Sequence, residues 1–210
     1  PRAFAELPVD YLESLTDYVK ALDDSDPNRM GIWGVSKGAE YALLAGERIG
    51  DYAAIAAIVP TDVVWEGWGA GRIVSSFSWR GEPLPFVPYK GMDEEFQKPT
   101  PSLRIPHDAG RAANPDRIEA ARIKVEEIPV PLFLVGGDED TVWGSGPMAR
   151  SIAETRTTAG LETELYVSTT AGHFLSSDGY RPAREAEAKI KGEAYPAMLN
   201  FFERHLKRDE

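Results

Sequence analysis

The 210-residue sequence contains no cysteine and only three histidines. Without cysteine the chain can form neither disulfides nor thiolate metal sites, and a cysteine nucleophile is excluded. No apolar run approaches the roughly 18 residues that a membrane-spanning helix needs, and the N-terminus lacks the pattern of a signal peptide. We therefore expect a cytoplasmic protein with no membrane span. The first residue is Pro1 rather than methionine, which indicates a cut, processed or partial chain.

Positive charge is scarce, since 23 Lys and Arg residues stand against 34 Asp and Glu, giving a net charge of −11. This balance argues against a partner rich in nucleic-acid phosphates or anionic lipid, although a small anionic ligand needs only a local cluster of cations. The hydrophobic fraction of 42% is typical of a globular protein, and 210 residues are enough for one well-buried domain. We expect a small-molecule substrate and no metal or redox cofactor; the oligomeric state is not indicated.

Hydrophobic periodicity predicts alternating strands and helices along most of the chain. This alternation predicts an α/β domain, with a mostly parallel sheet flanked by helices. The last helix is expected to bury Tyr195, Met198, Leu199 and Phe202. The predicted strands are 29–35, 53–60, 130–140 and 161–167, and the predicted helices are 11–22, the segment after Ser36, 145–160 and 192–207.

Residues 61–116, here called the insertion, are rich in Gly, Pro and Trp and show no sustained period. A segment of this length without regular structure is too long for an ordinary loop, so we interpret it as a lid or insertion over a pocket. A short helix is predicted at about 107–122. We treat residues 1–210 as one α/β domain that carries this insertion.

A serine stands between two glycines in "GVSKG" (34–38), where the first predicted strand turns into a helix. Ser36 is either an ordinary helix N-cap or a nucleophile on the strained G-x-S-x-G turn. The glycines are expected because side chains two residues before or after the serine would collide with the neighbouring strand and helix. Gly31, Gly34 and Gly38 do not have the spacing of a dinucleotide-binding loop.

Candidate partners of Ser36 follow two later strands. Asp138, Glu139 and Asp140 follow the third strand, and His173 follows the fourth. Parallel strands end at the same sheet edge, so these loops should converge there. A serine hydroxyl needs a base to take its proton, here the imidazole of His173, and the imidazole needs a carboxylate that fixes its tautomer. The order Ser…Asp…His along the chain is that of α/β-hydrolases. Spacing alone does not separate Asp138 from Asp140, although Asp140 lies far enough past the strand to turn back under the histidine.

The other two histidines fit structural roles better. His205 lies near a helix C-terminus, where a partly charged imidazole interacts favourably with the helix dipole. His107 lies in the insertion and is expected to be a surface or lid residue. We therefore expect His173 to be the base.

The sequence resembles the C-terminal catalytic domain of the acyl-CoA thioesterase / bile acid-CoA:amino acid N-acyltransferase family. The resemblance extends from Gly34 to Leu206 and implies an α/β-hydrolase fold, with Ser36 as nucleophile, Asp140 as acid and His173 as base. Members use serine or cysteine as nucleophile, and the amide-forming acyltransferases characteristically use cysteine, so the serine here favours hydrolysis. The stretches that carry the family resemblance are "GVSKGAEYALL" (34–44), "RGEPLPFVP" (80–88), "FLVGGDEDTVW" (133–143), "AGHF" (171–174) and "FFERHL" (201–206).

The sequence departs from the family pattern at its start. The first strands of an α/β-hydrolase and the family's N-terminal β-sandwich domain are expected to be missing. The backbone N–H of Lys37 should be one oxyanion donor, whereas the loop between an earlier strand and helix that normally supplies the second is absent here. We therefore expect either that the real protein is longer or that this one is disabled.

The leading hypothesis is a serine hydrolase that cleaves an acyl-CoA thioester or related activated acyl compound through an acyl-enzyme. Trp65, Trp68 and Phe86 are candidates to cover the acyl chain, and Arg80 to meet CoA phosphates. The alternative for each aromatic residue is that it packs within the insertion itself, and the alternative for the arginine is that it is solvated at the surface. The alternatives for the whole protein are a carboxylesterase or dienelactone-hydrolase-like enzyme, an acyl-CoA:amino acid N-acyltransferase, and an inactive hydrolase-fold interaction module.

Overall fold

The computed structural model describes residues 3–173 and 184–207. The main sheet has the strand order β2-β3-β6-β7, and every neighbouring pair is parallel. The strands are β1 (Leu7–Pro8), β2 (Gly31–Val35), β3 (Ala54–Ile58), β4 (Phe77–Trp79), β5 (Glu82–Pro83), β6 (Leu132–Gly137) and β7 (Thr163–Ser168). The helices are α1 (Tyr11–Lys20), α2 (Lys37–Arg48), α3 (Met92–Phe96), α4 (Arg104–Ala113), α5 (Pro115–Ala121), α6 (Ser145–Thr158) and α7 (Arg184–Leu206), with a 3-10 turn at Val125–Glu127.

The two central strands are apolar throughout because helices cover both faces of the sheet. All six residues of β6 are buried, as are four of the five in β3. Such continuous apolar runs are typical of parallel strands buried on both faces. The four strands predicted from the sequence therefore match β2, β3, β6 and β7, and the predicted α/β fold is confirmed.

Side-chain alternation along the strands divides the core into two layers. Ile55 and Leu132 point to the face covered by α2 and α6, where they pack with Leu43 and Ile152. Their neighbours Ala56 and Phe133 point to the opposite face, which α7 covers. This period of two is the elementary geometry of a strand, and it fixes which helix each strand residue meets.

Helix α7 is longer than predicted and buries a different face. Met198 is buried as expected, but Tyr195 and Leu199 are 54% and 51% exposed, so that prediction was wrong for both. Phe202 is only partly buried. The residues that pack on the sheet are Ile190, Ala194, Met198 and Phe201.

The insertion contains more regular structure than its composition indicated. Strands β4 and β5 form a small antiparallel pair, and β1 joins β4 in parallel. The single helix predicted at about 107–122 is in fact two helices, α4 and α5, separated at Asn114. The break follows from Pro115, which takes the first position of α5 and disfavours helical geometry at the residue before it.

Candidate active site

Ser36 lies at the turn between β2 and α2, which we call the elbow (residues 34–38). Its backbone has φ 59° and ψ −124°, a conformation that non-glycine residues rarely adopt. Its own N–H donates to the carbonyl of Ile58, and its carbonyl accepts from Ala39 and Glu40 in the first turn of α2. The side chain makes no capping hydrogen bond to the helix. Ser36 thus occupies the N-cap position of α2, but its side chain does not cap the helix.

The two glycines of the elbow are not equivalent. A Cβ atom at Gly34 would lie 1.9 Å from the carbonyl oxygen of Gly38, so no side chain fits there. A Cβ atom at Gly38 would meet nothing within 4 Å. The expected collision is therefore confirmed for Gly34 and wrong for Gly38, because residue 38 points away from the strand at an exposed position.

His173 reaches the serine from the loop after β7. Its Nε2 atom lies 2.8 Å from the Oγ atom of Ser36, and its Nδ1 atom lies 2.8 Å from Oδ2 of Asp140. The imidazole is almost completely buried. A carboxylate only accepts hydrogen bonds, so Nδ1 donates its proton to Asp140 and Nε2 is left to accept from the serine hydroxyl. Phe174, which follows in the sequence, lies outside the described residues.

Of the three acids after β6, the structure brings Asp140 to the histidine. Its second oxygen accepts the backbone N–H groups of Val142 and Trp143 at 2.8 and 3.1 Å, so both oxygens of this fully buried carboxylate are bonded. Asp138 instead forms a two-point ion pair with Arg150, at 2.7 and 3.0 Å. That pair lowers the pKa of Asp138. Glu139 is exposed. Of the two aspartates that spacing did not separate, Asp140 is therefore the one that bonds to His173 in the structure.

A row of aromatic rings, missed at the sequence level, leads from the insertion to His173. The ring of Trp143 stands edge-on to His173 with centroids 4.8 Å apart, and His107 packs on the same tryptophan at 5.6 Å. The indole N–H of Trp143 donates to the carbonyl of Val59. This bond fixes the ring beside the imidazole, since Val59 directly follows β3. The "DTVW" stretch was the sequence feature that could have indicated this contact, but a single tryptophan after a strand does not show which ring it will contact.

His107 is neither a surface residue nor an exposed lid residue, which corrects the sequence-based expectation. Its ring is only 2% exposed and packs between Trp65, Tyr89 and Trp143. Its Nδ1 atom bonds to the carbonyl of Leu103 at 2.7 Å. Desolvation by these surroundings lowers the pKa of His107 to about 4, so the ring is neutral at physiological pH.

The four predicted substrate-contacting residues differ in their surroundings. Trp65 is completely buried, and its indole N–H donates to Thr61, so packing inside the insertion is the role seen for it. Phe86 is partly buried beneath the guanidinium of Arg117. Arg80 pairs with Glu13 of α1 and lies over the ring of Trp79.

Trp68 is the one of the four with a half-exposed ring beside a cavity. The cavity has a volume of about 640 Å³ and lies within the insertion. Trp68 and Phe96 approach each other there, with ring centroids 6.1 Å apart. The cavity is also lined by three carboxylates, Glu66, Asp93 and Glu94, and by one cation, Arg72.

Among the described residues there is neither a cluster of metal ligands nor a membrane-spanning helix. Within residues 3–173 and 184–207, no His, Asp or Glu residues gather in threes in a way that could hold a metal ion. Over the same ranges, none of the helices has the length and apolar character needed to cross a bilayer.

A parallel sheet with a serine elbow after one strand, and Asp and His loops at the same edge, defines an α/β-hydrolase fold. Solved structures agree. The chain is similar to acylaminoacyl peptidase from Pyrococcus horikoshii, with a TM-score of 0.60 and 15% identity over 96% of this chain and 28% of that one. It is also similar to a putative dienelactone hydrolase from Klebsiella pneumoniae, with a TM-score of 0.53 and 15% identity over 92% of this chain and 59% of that one.

An esterase from Pyrococcus furiosus gives a TM-score of 0.53 and 16% identity over 95% of this chain and 62% of that one. The chain thus spans less than two thirds of the length of each of these proteins. No curated protein sequence matched it. A family model does match, over residues 7–193: the chain belongs to the BAAT / acyl-CoA thioester hydrolase C-terminal family.

Proposed function

We propose that the protein is a serine hydrolase that cleaves an acyl-CoA thioester, or a related activated acyl compound, with Ser36 as nucleophile. The observation that carries this proposal is the continuous hydrogen-bonded chain from Ser36 through His173 to Asp140, with both links at 2.8 Å. Membership of a family named for acyl-CoA thioester hydrolysis supports the substrate class.

The geometry supports a two-step reaction. In the first step, Nε2 of His173 takes the proton of Ser36 while Oγ attacks the acyl carbonyl carbon. The backbone N–H of Lys37 is the first N–H of α2, which no carbonyl within the helix can accept, so it is available to the developing oxyanion. When the carbon–sulfur bond breaks, the imidazolium returns its proton to the departing thiolate, leaving an acyl-enzyme.

The second step reverses these roles with water. His173 takes a proton from a water molecule, the resulting hydroxide attacks the acyl-enzyme, and Ser36 leaves with the proton that the imidazole returns. Asp140 holds the Nδ1–H tautomer in both steps and stabilises the imidazolium each time it forms. The products are the free acid and the thiol.

One observation favours a second candidate, a carboxylesterase without preference for CoA. Arg80, the residue expected to meet CoA phosphates, is paired with Glu13 and lies over the ring of Trp79. An arginine already paired with a carboxylate attracts the anionic phosphates of CoA less strongly, whereas an uncharged ester needs no such cation. The cytoplasmic location expected from the cysteine-free composition stays a prediction.

Competing substrates test the proposal. Turnover of long-chain acyl-CoA and of p-nitrophenyl esters is compared, with and without glycine or taurine, and a fluorophosphonate probe is used to label Ser36. We expect labelling of the parent protein and none of Ser36→Ala, together with free acid as the product from acyl-CoA. Faster ester cleavage with no CoA preference would overturn the thioester assignment, and formation of an amide would indicate acyl transfer. No adduct on Ser36 would overturn the hydrolase proposal itself.

A further inference from the structure

Lys37 and Glu40, both in the first turn of α2, form an ion pair directly behind the elbow. The Nζ atom of Lys37 lies 2.8 Å from Oε2 of Glu40. The carboxylate is fully buried, and the lysine side chain is only 15% exposed. Lys37 is also the residue whose backbone N–H faces the proposed oxyanion. One residue therefore contributes its main chain to the site and its side chain to a buried ion pair.

The pair also connects the elbow to the insertion. The Nζ atom of Lys37 donates a second hydrogen bond, at 2.8 Å, to the Oγ atom of Ser76. That hydroxyl in turn donates to the carbonyl of Glu66 at 2.9 Å. On the other side, the backbone N–H of Trp65 donates to Oε1 of Glu40 at 3.3 Å. Two separate segments of the insertion are thus tied to the first turn of α2.

Stability alone does not explain a buried pair of this kind. Burial raises the pKa of Glu40, and the neighbouring Lys37 opposes that rise. Replacing a buried ion pair by apolar residues of similar volume is often neutral or stabilising. The pair has instead a feature that an apolar replacement lacks, namely directional bonds that fix the orientation of Lys37.

The backbone of the elbow needs such support. Residues held at a positive φ, like Ser36, adopt an unfavourable backbone conformation and persist only where their surroundings determine it. The orientation of an oxyanion donor matters strongly, because loss of one donor lowers turnover by about 10²–10³-fold.

We propose that the Lys37–Glu40 pair is a positioning device that orients the backbone N–H of Lys37 and makes this orientation depend on the insertion being packed against α2. The inference rests on the proposed function, because this N–H is an oxyanion donor only if Ser36 is the nucleophile. Lys37 and Glu40 are positioning residues here, and their side chains take no part in proton transfer.

The test uses Lys37→Met, Glu40→Gln and the double variant, with kcat, KM, the fluorophosphonate labelling rate and the free energy of unfolding as readouts. Each single variant leaves one charge without its counter-charge, and the double variant removes both charges. We expect stability to recover in the double variant while kcat and the labelling rate stay about 10–100-fold low, with KM little changed. Ser76→Ala, which removes one of the two links to the insertion and keeps the ion pair, should lower kcat by a smaller factor.

Glu95 and Lys98 provide a control pair with the same i, i+3 spacing, which differs in that the Lys98 side chain is half-exposed. Their side chains are 2.6 Å apart, Glu95 is buried, and its other oxygen accepts the backbone N–H of Ser102. We expect Glu95→Gln and Lys98→Met to alter stability without altering kcat. Recovery of kcat along with stability in the Lys37→Met/Glu40→Gln variant would overturn the inference, as would equal kcat effects in the two pairs. Both results leave the proposed function standing, whereas failure of the parent to label at Ser36 would remove both. If either single variant does not fold, the double variant and Ser76→Ala still decide the question.

Discussion

The Nε2 atom of His173 lies 2.8 Å from the Oγ atom of Ser36, although the two residues are 137 positions apart in the chain. Their proximity is a consequence of sheet topology. Ser36 directly follows β2 and His173 comes five residues after β7, the two outer strands of the parallel main sheet. Asp140 follows β6, a strand that lies between those two in the sheet. The three side chains therefore approach the same edge from three different strands.

A pair of conservative substitutions tests which aspartate is the hydrogen-bond partner of His173. In Asp140→Asn, the amide oxygen can still accept the N–H groups of Val142 and Trp143, so the loop is retained. The amide N–H would face Nδ1 of His173, and the imidazole would then carry its proton on Nε2, where it cannot accept the serine proton. We expect kcat to fall by about 10⁴-fold with little change in the circular dichroism spectrum.

Asp138→Asn is the matched control for this prediction. It removes the partly exposed ion pair with Arg150, which contributes about 1 kcal/mol or less to stability. Turnover should be unchanged. A larger loss of turnover in Asp138→Asn than in Asp140→Asn would contradict the geometry.

The two glycines of the elbow should respond differently to alanine. Gly34→Ala places a methyl group against the Gly38 carbonyl, so the strand and helix must move apart and the Ser36 conformation is lost. Gly38→Ala meets open space and replaces glycine by a better helix former in α2, which favours the helix by up to about 1 kcal/mol. Thermal unfolding and fluorophosphonate labelling measured on both variants check this. Equal losses of thermal stability and of labelling in the two variants would mean that the close contact at Gly34 does not determine the conformation of the elbow.

The buried ring of His107 predicts a pH dependence of stability. Its pKa in the folded protein is about 4, below the 6.5 of an unfolded chain. Between these values the unfolded state binds a proton that the folded state does not, so the free energy of unfolding should fall as pH is lowered from 6.5 towards 4. The full effect is on the order of 3 kcal/mol, and the stability it represents is present above pH 6.5.

His107→Asn isolates this contribution, because asparagine can keep the donor to the Leu103 carbonyl but does not titrate. Urea unfolding at several pH values between 4 and 7 gives the slope of stability against pH. We expect that slope to be smaller in the variant, even if the packing lost around Trp65 and Trp143 lowers stability at every pH. Parallel curves for the two proteins would show that His107 is not the titrating group.

The sequence predicted the elements that depend on local pattern, and failed where a distant partner decides. The apolar runs of β3 and β6 and the glycine turn around Ser36 are local features, and strand order then brought Asp140 and His173 to one edge. The buried face of α7 was different. Tyr195 and Leu199 fit a helical stripe as well as Ala194 and Phe201 do, and only the position of the sheet selects the second set.

The insertion shows the same limit. Glu40 falls within the stretch 34–44 that carries the family resemblance, but its contact with Trp65 depends on how residues 61–116 fold back onto α2. His107, expected to be a surface or lid residue because it lies in the insertion, is enclosed by rings from three separate segments. Contacts of this kind are set by tertiary packing, which no periodicity records.

Arg156 on α6 is a structural residue that the sequence did not distinguish from its neighbours. Its guanidinium is fully buried, no carboxylate among the described residues pairs with it, and burial lowers its pKa to about 10. It donates hydrogen bonds at 2.6–2.9 Å to segments around the starts of β6 and β7. The acceptors are the carbonyls of Val125, Ile128, Val130 and Glu162 and the hydroxyl of Thr163.

We expect Arg156→Lys to destabilise the fold strongly. A lysine ammonium has three donors at one point, so it cannot reproduce five bonds spread over a planar fork. At least two buried acceptors lose their partner, and each unsatisfied group destabilises by about 1–3 kcal/mol. Arg150→Lys, on the same helix, is the control, because its exposed pair with Asp138 contributes about 1 kcal/mol or less. Urea unfolding of the two variants measures the difference, and similar midpoints would mean that the carbonyls around Arg156 find other donors.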